Sequence, residues 1–186
     1  AALYSALCYA YENNLRVFFA TARTTQQLMA EQTVEYMAQK GMPIRAVSIR
    51  AKEKICLNDQ VRCTPEHCPY AAGYFDKIQR HDTLRTTWSS HGSRGDIWPA
   101  KVIRIAEEQY VCPHALSIDL ANMADVVIGD FNYLFDPSVR LSMISSEASN
   151  WIVIVDEAHN LPERAMGYGS PRISLCKVWT VLERMR

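Results

Sequence analysis

Trp151 to Pro162 reads W-I-V-I-V-D-E-A-H-N-L-P. Five apolar residues, Trp151 to Val155, run without alternation and stop at two adjacent carboxylates, Asp156 and Glu157. Such a run suits a central parallel strand, buried on both faces. Carboxylates just past its carboxyl end sit where open α/β sheets place their ligands. The pair has a definite chemistry there: one carboxylate holds Mg²⁺ through water, and the next polarises the water that attacks a phosphate. His159 follows, placed to sense that phosphate and report to a neighbouring element. The plain alternative is a strand end followed by a charged turn.

Working outward, the chain alternates strand and helix patterns with one interruption. Residues 1–13 read as an Ala- and Leu-rich helix, and Arg16 to Thr21 (R-V-F-F-A-T) as a buried strand. Thr24 is placed to cap a helix running to about Lys40, with Leu28, Met29, Val34, Tyr36 and Met37 as its apolar stripe and Gly41 as its stop. Ala46 to Ile49 is a short strand, residues 113–123 a helix opened by a Pro, and Asp125 to Gly129 a further strand. Residues 137–145 suggest another short helix. Between 51 and 112 the rhythm breaks into cysteines, prolines and a polar S-S-H-G-S-R-G-D loop, which reads as an insertion. Strands separated by helices predict an α/β fold, a parallel sheet with helices on both faces.

Four cysteines narrow the class. Cys56, Cys63, Cys68 and Cys112 are spaced C-x6-C-x4-C-x43-C, while Cys8 and Cys176 stand apart and read as buried thiols. No secretory signal is read, so disulfides are not expected. Structural zinc usually shows tight C-x2-4-C pairs on both sides, and these are missing. An iron–sulfur cluster takes four thiolates at wider, uneven spacing. Spacing alone leaves cluster, zinc and unrelated structural cysteines open.

The residues around them carry a family resemblance. C-L-N-D-Q-V-R-C-T-P-E-H-C-P-Y-A-A-G-Y-F-D-K-I, from Cys56, resembles the cluster segment of the DinG/XPD family of DNA helicases. So does C-P-H-A-L-S-I-D-L-A-N-M-A-D-V-V-I-G-D-F-N-Y-L-F-D-P, from Cys112, and D-E-A-H resembles their Walker B motif. The resemblance covers most of residues 16–165. It implies a partial RecA-like parallel sheet interrupted by a mainly helical Fe–S insertion. It also implies a [4Fe–4S] cluster on Cys56, Cys63, Cys68 and Cys112, with ATP and Mg²⁺ as the other cofactors. Asp156 would hold Mg²⁺, Glu157 act as general base and His159 couple nucleotide to DNA, with Ala158 inside the same nucleotide-binding motif. The implied activity is ATP-dependent 5′–3′ translocation on single-stranded DNA and unwinding of forked or structured DNA, in repair. The implied layout is motor domain 1 over 1–50 and 113–165, the Fe–S insertion over 51–112, and the start of an Arch-like domain over 166–186.

One part of the family pattern is missing. A phosphate-cradling G-x-x-x-x-G-K-[ST] loop is needed for turnover, and no Gly precedes Gly41. The expectation is a sequence that begins just past that loop and is inactive by itself. A different class stays open: a non-catalytic, nucleic-acid-binding module with zinc in the four thiolates.

Two stretches suit DNA. Thr21, Arg23 and Thr24, in T-A-R-T-T-Q-Q, match the family's motif Ia, whose hydroxyl and guanidinium groups bind phosphate without reading bases. Gln26 and Gln27 are weaker candidates, and a helix N-cap with polar neighbours is the alternative. In the insertion, Arg50, Lys52, Lys54, Arg62, Lys77, Arg80 and Arg85 interleave with Tyr70, Tyr74 and Phe75. That mixture suits single strands, with phosphates on the charges and bases on the rings; a solvated face over core aromatics is the rival. Arg62, just before Cys63, matches a family arginine that supports the cluster. His67 and His114 read as outer or surface residues, since four cysteines already fill a cluster.

Composition bounds the rest. The 186 residues are 48% hydrophobic and 22% charged with net charge zero, so any DNA surface must be local. No apolar run approaches the ~20 residues of a membrane span, so no membrane partner is expected. The expected location is the cytoplasm, or the nucleus in a eukaryote.

Overall fold

The computed structural model describes residues 2–89 and 95–170, with 179, 182 and 183. Cys176 and most of the polar loop after Trp88 lie outside the described residues, as does most of the segment expected to open an Arch-like domain.

The described chain is an α/β sheet whose every strand pairing is parallel, in the order β3-β2-β4-β1-β5. Helix α1 (Ala2–Asn13) leads into β1 (Arg16–Thr21), then α2 (Thr24–Gln39) and β2 (Arg45–Ser48). The next residues carry α3 (Lys52–Ile55), α4 (Tyr74–Arg80), α5 (Thr83–Ser89), β3 (Gly95–Ile97) and α6 (Pro99–Gln109). Then come α7 (Pro113–Ala121), β4 (Val126–Asp130), α8 (Asn132–Phe135), α9 (Ser142–Ser146), β5 (Trp151–Val155) and α10 (Leu161–Gly169).

Strand alternation splits the core in two. Val17, Ala46, Val126 and Ile128 face α1 and α2, meeting Leu3, Leu7, Ala30, Val34 and Met37. Phe18, Ala20, Val47 and Val127 face the other way, onto Val102, Ile105 and Ala106 of α6 and Leu116 and Leu120 of α7. At Gly129 a Cβ would lie 3.1 Å from the Phe18 ring and 3.2 Å from that of Tyr133, so glycine lets β4 and its following turn close on β1. Arg16 locks the entry to β1: Nε donates to Ala124 O at 2.8 Å and Nη2 to Ala121 O, carbonyls at and beyond the end of α7. Its guanidinium lies 4.1 Å from the Trp151 ring centroid.

Four sequence expectations need correction. Trp151–Val155 is parallel, but it lies at the sheet's end with β1 as its neighbour, and Val153 is 42% exposed. The interior strands, buried on both faces, are β2, β4 and β1. Thr24 is the first residue of α2; Arg23 holds the N-cap position without a side-chain cap bond. The buried stripe of α2 is Gln27, Ala30, Glu31, Val34 and Met37, leaving Leu28, Met29 and Tyr36 exposed. Two polar residues displace apolar ones because they meet Arg50, which is buried after β2. Its guanidinium donates to Glu31 Oε1 at 2.6 Å, to Ser48 Oγ at 2.9 Å and to Gln27 Oε1. Finally, residues 95–109 are regular. β3 extends the sheet, with Arg45 beside Gly95 and Val47 beside Ile97, and α6 packs on the core.

Candidate functional site

Strands β1, β4 and β5 end side by side, so Thr21, Asp130 and Asp156 rim one edge of the sheet. The Asp156 amide donates to Ala20 O at 2.9 Å, which joins the D-E-A-H turn to the end of β1. Glu157 then reverses the chain in the left-handed region (φ 53°, ψ 44°), where a residue with a Cβ is uncommon. The Asn160 amide and side chain both donate to Glu157 O, at 3.0 and 3.1 Å, and hold the turn. Glu157 Oε2 lies 3.2 Å from His159 Nδ1, so the expected base and coupling residue touch each other. Asp156 is half-buried, while Glu157, Ala158 and His159 are exposed and open to a ligand.

Arg164 on α10 closes this edge. It donates to Asp130 Oδ1 at 2.7 Å and to Ala22 O at 3.2 Å, and its guanidinium lies 5.5 Å from the Phe131 ring centroid. Arg164 gave no sign in the sequence; its position two residues past Pro162 carries no signal by itself.

The turn after β1 divides the expected DNA contacts. Thr21 is fully buried; its hydroxyl donates to Gln26 Oε1 at 2.7 Å and accepts from the Arg23 amide at 3.2 Å. It shapes the turn and does not face a ligand. Gln27 is buried against Arg50. Arg23 and Thr24 are exposed at the start of the long helix α2, where free amides and the helix dipole favour a phosphate.

At the root of the insertion Arg50, and within it Tyr74, leave the expected DNA surface because both are buried. The Tyr74 hydroxyl donates to Asp119 Oδ2 at 2.7 Å, and burial raises its pKa. Arg62 and Phe75 are exposed. Cys68 is buried, Cys56 and Cys112 are half-buried and Cys63 is exposed; all are free thiols, as is the half-buried Cys8, expected to be buried. Four free thiols are the donor chemistry that an iron–sulfur cluster or zinc requires. The side chains are not drawn together as a cage: among the described residues no three His, Cys, Asp or Glu groups converge to hold an ion. His67 is exposed, bonded to Thr64 Oγ1 at 2.9 Å.

His114 takes part in a cleft of about 820 Å³ at the carboxyl ends of β2 and β4, which it lines with Lys52, Asp119, Tyr133, Asp136 and Arg140. The Tyr133 hydroxyl donates to Arg50 O at 3.2 Å and lies 3.1 Å from His114 Nε2. Burial, then Lys52, pushes the imidazole pKa down to about 4.

Comparison with known proteins agrees with this layout. The sequence profile of the DEAD_2 family matches residues 20–178. "ATP-dependent DNA helicase CHL1" of Candida glabrata is 25% identical over 195 residues, covering 91% of this chain and 23% of that protein. "Regulator of telomere elongation helicase 1 homolog" of Caenorhabditis elegans is 24% identical over 183 residues, 91% of this chain and 18% of that protein. "General transcription and DNA repair factor IIH helicase subunit XPD" of Dictyostelium discoideum is 45% identical over 51 residues, 27% of this chain and 7% of that protein. The chain therefore spans less than a quarter of these relatives' length. The match covers most of the chain's residues: the chain belongs to the DEAD_2 family, that of the XPD-like superfamily 2 helicases.

Proposed function

We propose that this chain supplies part of the first motor domain, and the metal-binding insertion, of an ATP-dependent 5′–3′ DNA helicase acting in repair. The observation that carries this reading is the bond from the Asp156 amide to Ala20 O, which sets the D-E-A-H turn against the Arg23–Thr24 turn. In the whole protein Asp156 would hold Mg²⁺ at the ATP phosphates and Glu157 would take the proton of the attacking water. His159, already touching Glu157, would link that site to the DNA side. Arg23 and Thr24, with Arg62 of the insertion, would bind phosphates of a single strand or fork. The domain layout proposed is 1–50 and 113–165 for the motor, 51–112 for the insertion, and 166–186 for the approach to an Arch-like domain. Among the described residues no helix is long and apolar enough to cross a membrane. A location with the DNA, in nucleus or bacterial cytoplasm, follows from the proposed substrate.

Cys56, Cys63, Cys68 and Cys112 would hold a [4Fe–4S] cluster, which braces the insertion as metal-binding energy becomes folding energy. The test is iron, acid-labile sulfide and zinc per chain after anaerobic purification. About four irons and four sulfides support the cluster, and Cys63→Ser should then lose them and loosen residues 51–112. About one zinc without sulfide overturns it in favour of a Cys₄ zinc module. In the whole protein Glu157→Gln should abolish turnover and keep ATP binding; unchanged turnover removes Glu157 from its role.

A further inference from the structure

The segments that carry Cys56, Cys68 and Cys112 are tied together by side chains other than the cysteines. Lys77, on α4, donates from Nζ to Pro69 O at 2.8 Å and to Tyr110 O at 2.9 Å. Pro69 follows Cys68, and Tyr110 stands two residues before Cys112. The same ammonium lies 5.0 Å from the Tyr110 ring centroid, and that ring meets Tyr70 at 4.7 Å between centroids. Tyr110 holds a left-handed conformation (φ 56°) at the end of α6, uncommon for a residue with a Cβ. The bond to its carbonyl therefore secures a turn that the sequence does not favour. On the other flank, Asn58 Nδ2 donates to Cys68 Sγ at 3.1 Å and draws the Cys56 segment in.

A surface lysine ordinarily keeps its ammonium in water. Lys77 instead joins two carbonyls from segments far apart in sequence, each beside a thiol proposed as a ligand. Resting on the cluster reading above, we propose that Lys77 is a positioning residue for the metal site, a staple that sets the Cys68 and Cys112 segments against each other before the cluster is loaded. The physical reason is entropic as well as geometric. Cys68 and Cys112 are separated by 43 residues, and bringing the ends of such a loop together costs free energy. The staple meets part of that cost in the metal-free fold.

The test reconstitutes the chain anaerobically with ferrous iron and sulfide as wild type, Lys77→Met, Lys77→Arg and Thr83→Val. Lys77→Met keeps the stem and removes the donors. Thr83→Val removes the bond from Thr83 to Gln109, the residue before Tyr110, and so loosens α5 from α6 while leaving both lysine bonds of the staple in place. Iron and sulfide per chain are measured, and cluster loss in air is followed by bleaching near ~400 nm. Lys77→Met should lose the cluster about 10-fold faster than wild type, the scale of losing an outer partner of a metal site. Lys77→Arg should recover most of the difference, and Thr83→Val should bleach at the wild-type rate. Loss from Thr83→Val as fast as from Lys77→Met would reduce the staple to general stability and overturn the proposal. A wild type that loads, with a Lys77→Met that bleaches identically, overturns the staple and leaves the cluster. A wild type that takes up neither iron nor sulfide overturns both.

Discussion

Replacing Glu31 by leucine should cost this fold about 3 kcal/mol, far more than a surface charge would. Arg50 and Glu31 meet at 2.6 Å with side chains only 10% and 7% exposed. Leucine keeps roughly the volume and removes the charge, leaving a guanidinium that cannot shed its proton. Breaking a buried pair from one side costs about 3–5 kcal/mol. The lower end applies because Gln27 and Ser48 still accept from Arg50. About 3 kcal/mol is a shift of more than 100-fold in the unfolding constant and a large share of the ~5–15 kcal/mol that holds a typical domain. Replacing both partners, Glu31→Leu with Arg50→Met, removes the unpaired charge and should return to within about 1 kcal/mol of wild type. The assay is urea unfolding at equilibrium, with slopes compared so that midpoints report stability alone. A Glu31→Leu cost below about 1 kcal/mol would mean that water reaches the pair. A double variant as unstable as the single one would mean that packing, not charge, is what the site loses.

Arg16→Leu should cost about 2 kcal/mol, since it frees the Ala121 and Ala124 carbonyls that a charged donor satisfies; an unchanged thermal midpoint would count against that lock. His114 makes stability depend on acid. Its folded pKa, about 4, lies below the ordinary 6.5, so between those values the unfolded chain binds a proton that the folded chain refuses. Stability should be unaffected by His114 above pH 6.5 and fall as pH drops from there towards about 4; His114→Gln should flatten that part of a pH series. Glu157→Gly should raise stability by about 1 kcal/mol by relieving a side chain in the left-handed region, and should abolish turnover in the whole protein. A destabilised Glu157→Gly would show that the turn is unstrained.

The parallel sheet was legible because β1 and β4 are runs of apolar residues separated by helix-length segments, and the D-E-A-H strand ends where its apolar run ends. What misled was tertiary context. An apolar run indicates burial but not rank within a sheet, so Trp151–Val155 read as central although it lies at the end. Gln27 and Glu31 look like a solvated helix face until Arg50 is placed beneath them, a pairing between residues about twenty apart that periodicity does not register. Residues 95–109 hid for a different reason. A three-residue strand beside a polar loop has no pattern to detect; Pro99 at a helix start and the spacing of Val102, Ile105 and Ala106 do carry a helix signal, which the cysteines and prolines around them mask. Among the candidate DNA residues, sequence gathered three into one turn but could not tell Thr21, whose hydroxyl is spent inside it, from Arg23 and Thr24, which face out.

In the proposed function, that turn would let one edge of the sheet serve two ligands. Thr21 is bonded to Gln26 and to the Arg23 amide, so residues 21–26 are braced as a unit. The unit is tied on one side to the D-E-A-H turn through Ala20 O and to α10 through Ala22 O. On the other side Gln27 meets Arg50, the last residue before the insertion begins. A shift at Asp156 therefore has little slack to disperse into: it reaches the exposed Arg23 and Thr24 through backbone bonds and the root of the insertion through a buried guanidinium. Packed, hydrogen-bonded elements of this kind move between discrete arrangements and do not deform gradually. A motor that converts phosphate chemistry into steps along a strand requires that property at the place where its two sites meet.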